Sequence, residues 1–358
     1  MRIAINTGGG DAPGLNAAIR SATLSAIRRG WEVFGIRNGY GSLYTSEPFI
    51  PLTREKVHGI TMDGGTILGA ANRGNPFETP YQKEDGSWDL EDRSDEAVEV
   101  FKSNNIDALV AIGGDGSMRI ANKFSKKGIP VVGVPKTIDN DIWGCEITLG
   151  FDTAVSTATE AIDKITTTAE SHRRIMVVEV MGRYAGWIAL HSGLSSSADV
   201  ILIPEIEFSI DSIARKIMEK EEKGEFYTIV VVAEGSKEVG GDHFVKGKVL
   251  GQSEQLGGVA EYLEKKLSDM TGKESRSMVL GHLQRGGTPS TSDRLISLRF
   301  GAAAIRAMEE KDFNKMIVMQ QNEIRRIPLS DVADKIKLVP LNGDTILTAR
   351  EIGICLGD

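Results

Sequence analysis

The sequence predicts an α/β fold of two lobes, with mostly parallel sheets covered by helices. Short runs rich in Val and Ile recur along the chain between Gly, Pro and Asp, and they lack the polar alternation of half-exposed strands. Stretches with helical spacing separate most of these runs, which is the alternation that builds parallel sheets with helices on both faces. The 358 residues, 41% of them hydrophobic, are enough for more than one core.

In chain order, the expected strands are Ile3–Asn6, Glu32–Ile36, Ala108–Ile112, Val131–Val134, Ile175–Val180, Val200–Ile203, Thr228–Ala233 and Met278–Leu280. Expected helices include Leu15–Arg28, Ser156–Thr168, Ser209–Glu222 and Gly257–Thr271. The polar segment from Pro80 to Glu96, with its Asp85-Gly86 turn signal, is expected as a surface excursion. A lobe boundary is expected near residues 140–150. The first lobe then takes residues 1–140 and part of 286–320, the second 141–285 and the C-terminal segment.

Composition narrows the function. A net charge of -8 argues against nucleic acid as the main ligand, although local basic spots still suit a small anion. Cys145 and Cys355 support neither a disulfide framework nor a zinc cluster. No apolar stretch is long enough to span a membrane, and Met1 to Asn6 run straight into a glycine loop, so a cytoplasmic protein is expected.

Three loops carry candidate chemistry, two on the donor side and one on the acceptor side. Gly8 to Gly14 lies between a strand and a helix, where backbone N–H groups and the helix terminus attract an anion. It is neither the dinucleotide fingerprint nor a P-loop, and a plain strand-to-helix turn accounts for it equally well. Gly113-Gly114-Asp115-Gly116-Ser117 is more specific, because its glycines let polyphosphate approach the backbone while Asp115 can hold Mg2+. The third, Pro135 to Asp141, places Asp139 and Asp141 two residues apart, and a carboxylate there can take the proton of an acceptor hydroxyl. Thr137 can hydrogen-bond a phosphoryl oxygen or the acceptor. Arg73 is a weaker candidate for the transferring phosphate.

Cationic loops follow at later strand ends, Met181-Gly182-Arg183 and Gly281 to Gly287 with His282 and Arg285. Arginine forks of this kind bind phosphate through paired hydrogen bonds. Arg174 and Arg276 precede the same two strands, at the opposite end, so a site shared between subunits is expected. Glu234, ending another strand, can accept hydrogen bonds from hydroxyls.

Together these strings resemble the phosphofructokinase family in order and spacing, over nearly the whole chain: Gly9–Arg20, Gly64–Gly69, Gly113–Ser117, Pro135–Asp141, Val178–Gly186, Glu234 and Val279–Gly287. The resemblance implies a phosphofructokinase-like fold with a nucleotide-binding first lobe and a sugar-phosphate-binding second lobe. It also implies phosphoryl transfer to fructose 6-phosphate with Mg2+, in a homodimer or homotetramer with a shared active site. By motif match, Asp139 resembles the catalytic base and Asp115 the magnesium ligand. Gly10, Arg73, Gly114, Asp115, Gly116 and Ser117 match donor-nucleotide positions. Thr137, Ile138, Asp139, Met181, Gly182, Arg183, Glu234, His282, Leu283, Gln284 and Arg285 match sugar-phosphate positions, with Arg174 and Arg276 supplied by the neighbouring subunit.

Two residues bear on the donor. An acidic residue after the Asp115 position accompanies pyrophosphate use in this family; Gly116 leaves room for ATP. Lys136 is the residue usual in pyrophosphate-dependent members. The combination resembles the mixed-substrate subgroup, with ATP expected and pyrophosphate the alternative. Positions matching the bacterial effector pocket hold Leu24, Asp63, Thr166 and Glu225, leaving only Arg20 and Lys223 basic, so effector control through that pocket is expected to be absent.

Overall fold

The computed structural model describes residues 1–71, 74–247 and 255–358. Its elements run β1 (Arg2–Thr7), α1 (Leu15–Ile27), β2 (Glu32–Ile36), β3 (Phe49–Pro51), β4 (Thr79–Gln82), β5 (Trp88–Glu91), α2 (Ser94–Ser103), β6 (Ala108–Gly113), α3 (Asp115–Lys126) and β7 (Val131–Pro135). They continue with α4 (Phe151–His172), β8 (Ile175–Val180), α5 (Trp187–Ser195), β9 (Val200–Leu202), α6 (Ile210–Glu222), β10 (Thr228–Ala233), β11 (Val245–Gly247), β12 (Gln255–Leu256), α7 (Val259–Thr271) and β13 (Ser275–Val279). The last are α8 (Thr291–Glu309), β14 (Lys315–Gln320), β15 (Glu323–Pro328), α9 (Leu329–Val332) and α10 (Asp344–Glu351).

Two sheets organise these elements. The larger has seven strands in the order β15-β14-β7-β6-β1-β2-β3. Its central members are parallel, with Ile3 opposite Ala108 and Leu109 opposite Val131. The smaller orders its strands β13-β8-β10-β9, all parallel. Strands β1, β6, β7, β8 and β10 are buried or nearly so along their length, which is why they read as continuous apolar runs. Helix α8 packs on α1 and carries buried Asp293, whose carboxylate accepts N–H bonds from Gly150 and Thr153, each 2.8 Å, and the Thr153 hydroxyl at 2.5 Å. Those charge-assisted bonds tie the start of α4 to the seven-stranded sheet's helical cover.

Several boundaries differ from the sequence expectation, each for a physical reason. β13 begins at Ser275, so Arg276 lies inside the strand, opposite Met176. As the edge strand it tolerates the polar run Ser275–Ser277, which hid its start. Asp115, Gly116 and Ser117 form the first turn of α3 and not a free loop. β14 and β15 were not anticipated; they form a hairpin whose two central residues, Gln321 and Asn322, have φ of 51° and 61°. Positive φ at both positions matches the twist that a tight antiparallel hairpin needs. The excursion expected from Pro80 is the β4–β5 hairpin, turning at Asp85-Gly86. Among the described residues, no helix is long and apolar enough to cross a membrane.

Candidate active site

Strand order brings the donor-side loops together. β7, β6 and β1 are consecutive in the sheet, so the loops leaving their carboxyl ends lie side by side. The Gly8 N–H donates to the Ile112 carbonyl at 2.9 Å, and the Lys136 N–H to the Gly113 carbonyl at 2.9 Å. The chain passes from β1 to β2 on one side and returns with β6 on the other, which makes β1/β6 a topological switch point, where open α/β sheets bind ligands. Ser117, at the start of α3, fills the angle between the Gly8 and Gly113 backbones: a Cβ at either glycine would meet the Ser117 Oγ at 2.5 and 2.2 Å. Gly116 is exposed, and a Cβ there would meet nothing within 4 Å. Arg73, expected beside this cluster, lies outside the described residues.

The smaller sheet repeats the arrangement. β13, β8 and β10 are neighbours, so Gly281–Arg285, Met181-Gly182-Arg183 and Glu234 leave adjacent carboxyl ends. Gly182 has φ 144°, and a Cβ on it would stand 2.9 Å from the Ala185 carbonyl oxygen, so only glycine makes this turn. The two sets of loops meet: Arg285 donates to the Asp11 carbonyl at 3.0 Å, and a Cβ on Gly10 would lie 3.0 Å from its guanidinium.

At that junction sits Asp139. Its N–H donates to the Thr137 hydroxyl at 3.1 Å, and its Oδ1 is buried without a hydrogen-bond partner. Hydrogen bonds from Thr148 tie down the loop holding it. Asn140, at φ 53°, accepts the Thr148 N–H through its side chain at 3.1 Å, and the Thr148 hydroxyl donates to the Thr137 carbonyl at 2.7 Å. Burial raises the Asp139 pKa, opposed by Arg285, Arg183 and Lys136, with Asp115 pushing further up. Glu234 is raised to about 7, first by burial and then by Asp139, against Arg183 and Arg285. Asp141 also rises to about 7, by burial and by the charges of Asp139 and Asp115. Lys136 is buried, its ammonium donates to the Gly10 carbonyl, and burial with Arg285 nearby lowers it to about 8. Carboxylates and cations from both sheets therefore act on one another across one cleft, the arrangement expected where proton and phosphoryl transfer occur.

Not every expected residue faces this cleft. Ile138 is fully buried in the second core, because its position in the loop points it against Gly150; only its backbone can meet a ligand. Gln284 is fully buried too, its side chain accepting the Met181 N–H at 3.3 Å and donating to the Gly281 carbonyl at 3.1 Å. It joins the two cationic loops and has no free face for a sugar. His282 and Leu283 are exposed. Arg174 and Arg276 lie at the amino ends of β8 and β13, bound to the Glu274 carboxylate at 2.7 and 2.5 Å. β8 alone separates Arg174 from Arg183 by about 20 Å at roughly 3.3 Å per residue, so one subunit does not aim all of these arginines at one ligand.

Asp115 opens α3, and its carboxylate accepts from Arg119 at 3.2 Å. Among the described residues no group of three or more His, Cys, Asp or Glu side chains is placed to hold a metal by itself. Mg2+ commonly binds through one or two carboxylates and the phosphates of its partner, which fits a single half-exposed aspartate beside raised carboxylates. Residues that the sequence reading did not single out also enter the site: Asn140 and Thr148, which lock the Asp139 loop, and Asp11, whose carbonyl receives Arg285. Asn140 has a legible signal, since it is a residue that tolerates left-handed backbone within the tight Asp139-Asn140-Asp141 turn.

Fold and cleft define a two-sheet α/β protein arranged for phosphoryl transfer. The phosphofructokinase family profile matches residues 2–308. The chain belongs to that family. It is 45% identical over its full length to the ATP-dependent 6-phosphofructokinase of Chloroflexus aurantiacus, covering 98% of that protein. It is 44% identical to the pyrophosphate--fructose 6-phosphate 1-phosphotransferase of Amycolatopsis mediterranei, over 95% of this chain and 97% of the relative. A solved phosphofructokinase from Pichia pastoris matches 92% of this chain with TM-score 0.80 and 33% identity; the match spans 35% of the yeast chain.

Proposed function

We propose that this protein is an ATP-dependent 6-phosphofructokinase, transferring the γ-phosphate of Mg-ATP to the 1-hydroxyl of fructose 6-phosphate and giving fructose 1,6-bisphosphate and ADP in glycolysis. The observation that carries this reading is Asp139: a half-buried residue whose carboxylate Oδ1 is buried and unpartnered, between a glycine-loop cluster on one sheet and arginine loops on the other. The Asp139 carboxylate accepts the proton of the 1-hydroxyl as its oxygen attacks phosphorus. Arg183 and Arg285 flank the same carboxylate and hold the sugar phosphate, with Met181, Gly182, Glu234 and His282 around the sugar. Gly10, Gly114, Gly116 and Ser117 present backbone and hydroxyl donors to the donor phosphates. Asp115 would hold magnesium, which would offset charge on the phosphates.

ATP is favoured over pyrophosphate by the open space at Gly116, where a nucleotide's α-phosphate has room. Lys136 and the Amycolatopsis relative favour pyrophosphate as the second reading. Initial rates of fructose 1,6-bisphosphate formation with magnesium and either donor alone separate the two; activity only with pyrophosphate reverses the donor assignment.

The seven-stranded sheet serves as the nucleotide lobe and the four-stranded sheet as the sugar-phosphate lobe, in a cytoplasmic homo-oligomer. Arg174 and Arg276 reach a partner's sugar phosphate across the edge strand β13, where Met278 and Val279 stand exposed. Mixing an Asp139→Asn chain with an Arg276→Ala chain tests this, because only a shared site regains activity. At the positions matching the bacterial effector pocket, the Thr166 hydroxyl donates to the Ile162 carbonyl and Glu225 pairs with Lys220, leaving Arg20 and Lys223 as the basic residues there, against the acidic Asp63 and Glu225. Sigmoidal sugar kinetics relieved by ADP would count against that absence of control.

A further inference from the structure

The segment between α9 and α10 crosses the site from the donor side to the acceptor side. Asp334, at φ 69°, accepts from the Nε of Arg119 at 3.1 Å, and the other end of that guanidinium holds Asp115 at 3.2 Å. Ile336 then bridges antiparallel to Ile142. The Lys337 N–H donates to the Asp141 carbonyl at 2.7 Å, and its ammonium donates to the carbonyls of Cys145 at 2.7 Å and Glu146 at 3.0 Å. Its own carbonyl accepts the Trp187 indole N–H at 2.9 Å. One residue thus holds both ends of the turn that begins at Asp141 and attaches it to the first residue of α5, which the chain enters from the Arg183 loop.

A lysine that merely caps a turn is the plainer reading, and its energetics argue against it. Among the described residues no carboxylate lies within ion-pair distance of the Lys337 ammonium, which rests on neutral carbonyls and over the Trp187 ring at 5.2 Å. Partly burying a cation without a carboxylate partner costs some stability that a methionine of similar length would not. What the cation supplies is geometry: several hydrogen bonds converge on a loop whose displacement by about 1 Å would cost on the order of a hundredfold in rate.

We propose that Lys337 is a positioning residue for phosphoryl transfer, clamping the Asp139–Glu146 loop onto α5 so that the base faces the acceptor hydroxyl. This rests on Asp139 being the base. Lys337 acts through the backbone of Asp141, Cys145 and Glu146 and not by touching substrate.

The test uses the full chain with Lys337→Met and Lys337→Arg. In Lys337→Met, kcat is expected to fall about 10- to 100-fold while KM for donor and sugar stays within about threefold. Amide exchange in peptides covering residues 141–147 is expected to accelerate about tenfold or more, with peptides from β1 and β8 unchanged. Lys337→Arg, which can still donate to both carbonyls, is expected to regain about a third or more of the lost kcat. A kcat for Lys337→Met within about twofold of the parent, or no gain with arginine, overturns the proposal. If Lys337→Met does not fold, Trp187→Phe removes only the indole bond to the Lys337 carbonyl. It is expected to lower kcat about three- to tenfold at unchanged KM, and parental kcat there overturns the clamp. Asp139→Asn is run alongside: retained activity there refutes the base assignment, while the exchange result still judges the clamp.

Discussion

The Lys136 ammonium and the Gly10 carbonyl are hydrogen-bonded, which closes the first glycine loop against the end of β7. Lys136 is only 3% exposed, so its charge acts inside the cleft and not in solvent. A phosphate bound at the first glycine loop would lie close to this cation.

Replacing it tests how far it serves the donor. Lys136→Met is expected to raise the donor KM about tenfold or more, the size of one lost charge-assisted hydrogen bond, and to leave the sugar KM within about threefold. Steady-state kinetics with each substrate varied in turn checks this; a rise in the sugar KM alone would place Lys136 on the acceptor side.

Gly116→Asp tests the donor from the opposite direction. A Cβ meets nothing there, so the fold should tolerate the change and thermal melting should show little shift. The added carboxylate would face an entering α-phosphate, and like charges about 4 Å apart at an effective dielectric near 20 repel by about 4 kcal/mol. Catalytic efficiency with ATP is expected to fall about 100-fold or more. An ATP rate close to the parent's would remove the argument from open space.

Asp139→Asn keeps the shape of the side chain and removes the proposed base. The expected loss in kcat is about 10²- to 10⁴-fold, with KM values little changed. The pH profile of the parent carries the second half of the test. Burial raises the Asp139 pKa, and the base works only when ionised, so activity must decline as pH falls through that raised value. The acid limb of kcat/KM should therefore lie above the ordinary carboxylate range, near 3.9. An acid limb at or below that range, or a variant as active as the parent, would deny Asp139 the role.

Asp141 predicts a stability effect of stated sign. Its folded pKa is about 7, set first by burial and then by the charges of Asp139 and Asp115, whereas an unfolded aspartate titrates near 3.9. Between those values the folded state binds more protons, so Asp141 favours folding less as pH rises through the window. Asp141→Asn removes this titration. Its gain in Tm over the parent should be larger at about pH 8 than at about pH 4, read by calorimetry. Equal gains at both pH values would show that Asp141 is not held near 7.

Much of the site is legible in sequence because it is local. A glycine loop after an apolar run, an aspartate opening a helix, and an arginine after a strand are each defined by chain neighbours. In parallel α/β sheets the carboxyl ends of such strands share one edge. Gly113–Ser117, Pro135–Asp141 and Met181–Arg183 therefore read as strand-end loops from the sequence alone. The buried strands were legible for the same reason, since burial on both faces leaves an unbroken apolar run.

Tertiary structure decided what depends on partners far along the chain. That Gln284 ties two loops and faces no ligand, and that Ile138 belongs to the core, follows from side-chain direction within a packed loop, which no spacing rule gives. The polar start of β13 was hidden because edge position, and not composition, made it a strand. Lys337 lies 198 residues from Asp139 in a segment with no motif of its own, and its part comes from hydrogen bonds made only once both sheets are in place. The sequence by itself determined which chemical groups stand at which strand ends, because those are set by neighbours in the chain. Only the fold decided which of them meet, because long-range pairing and burial, not adjacency, select the groups that share a cleft.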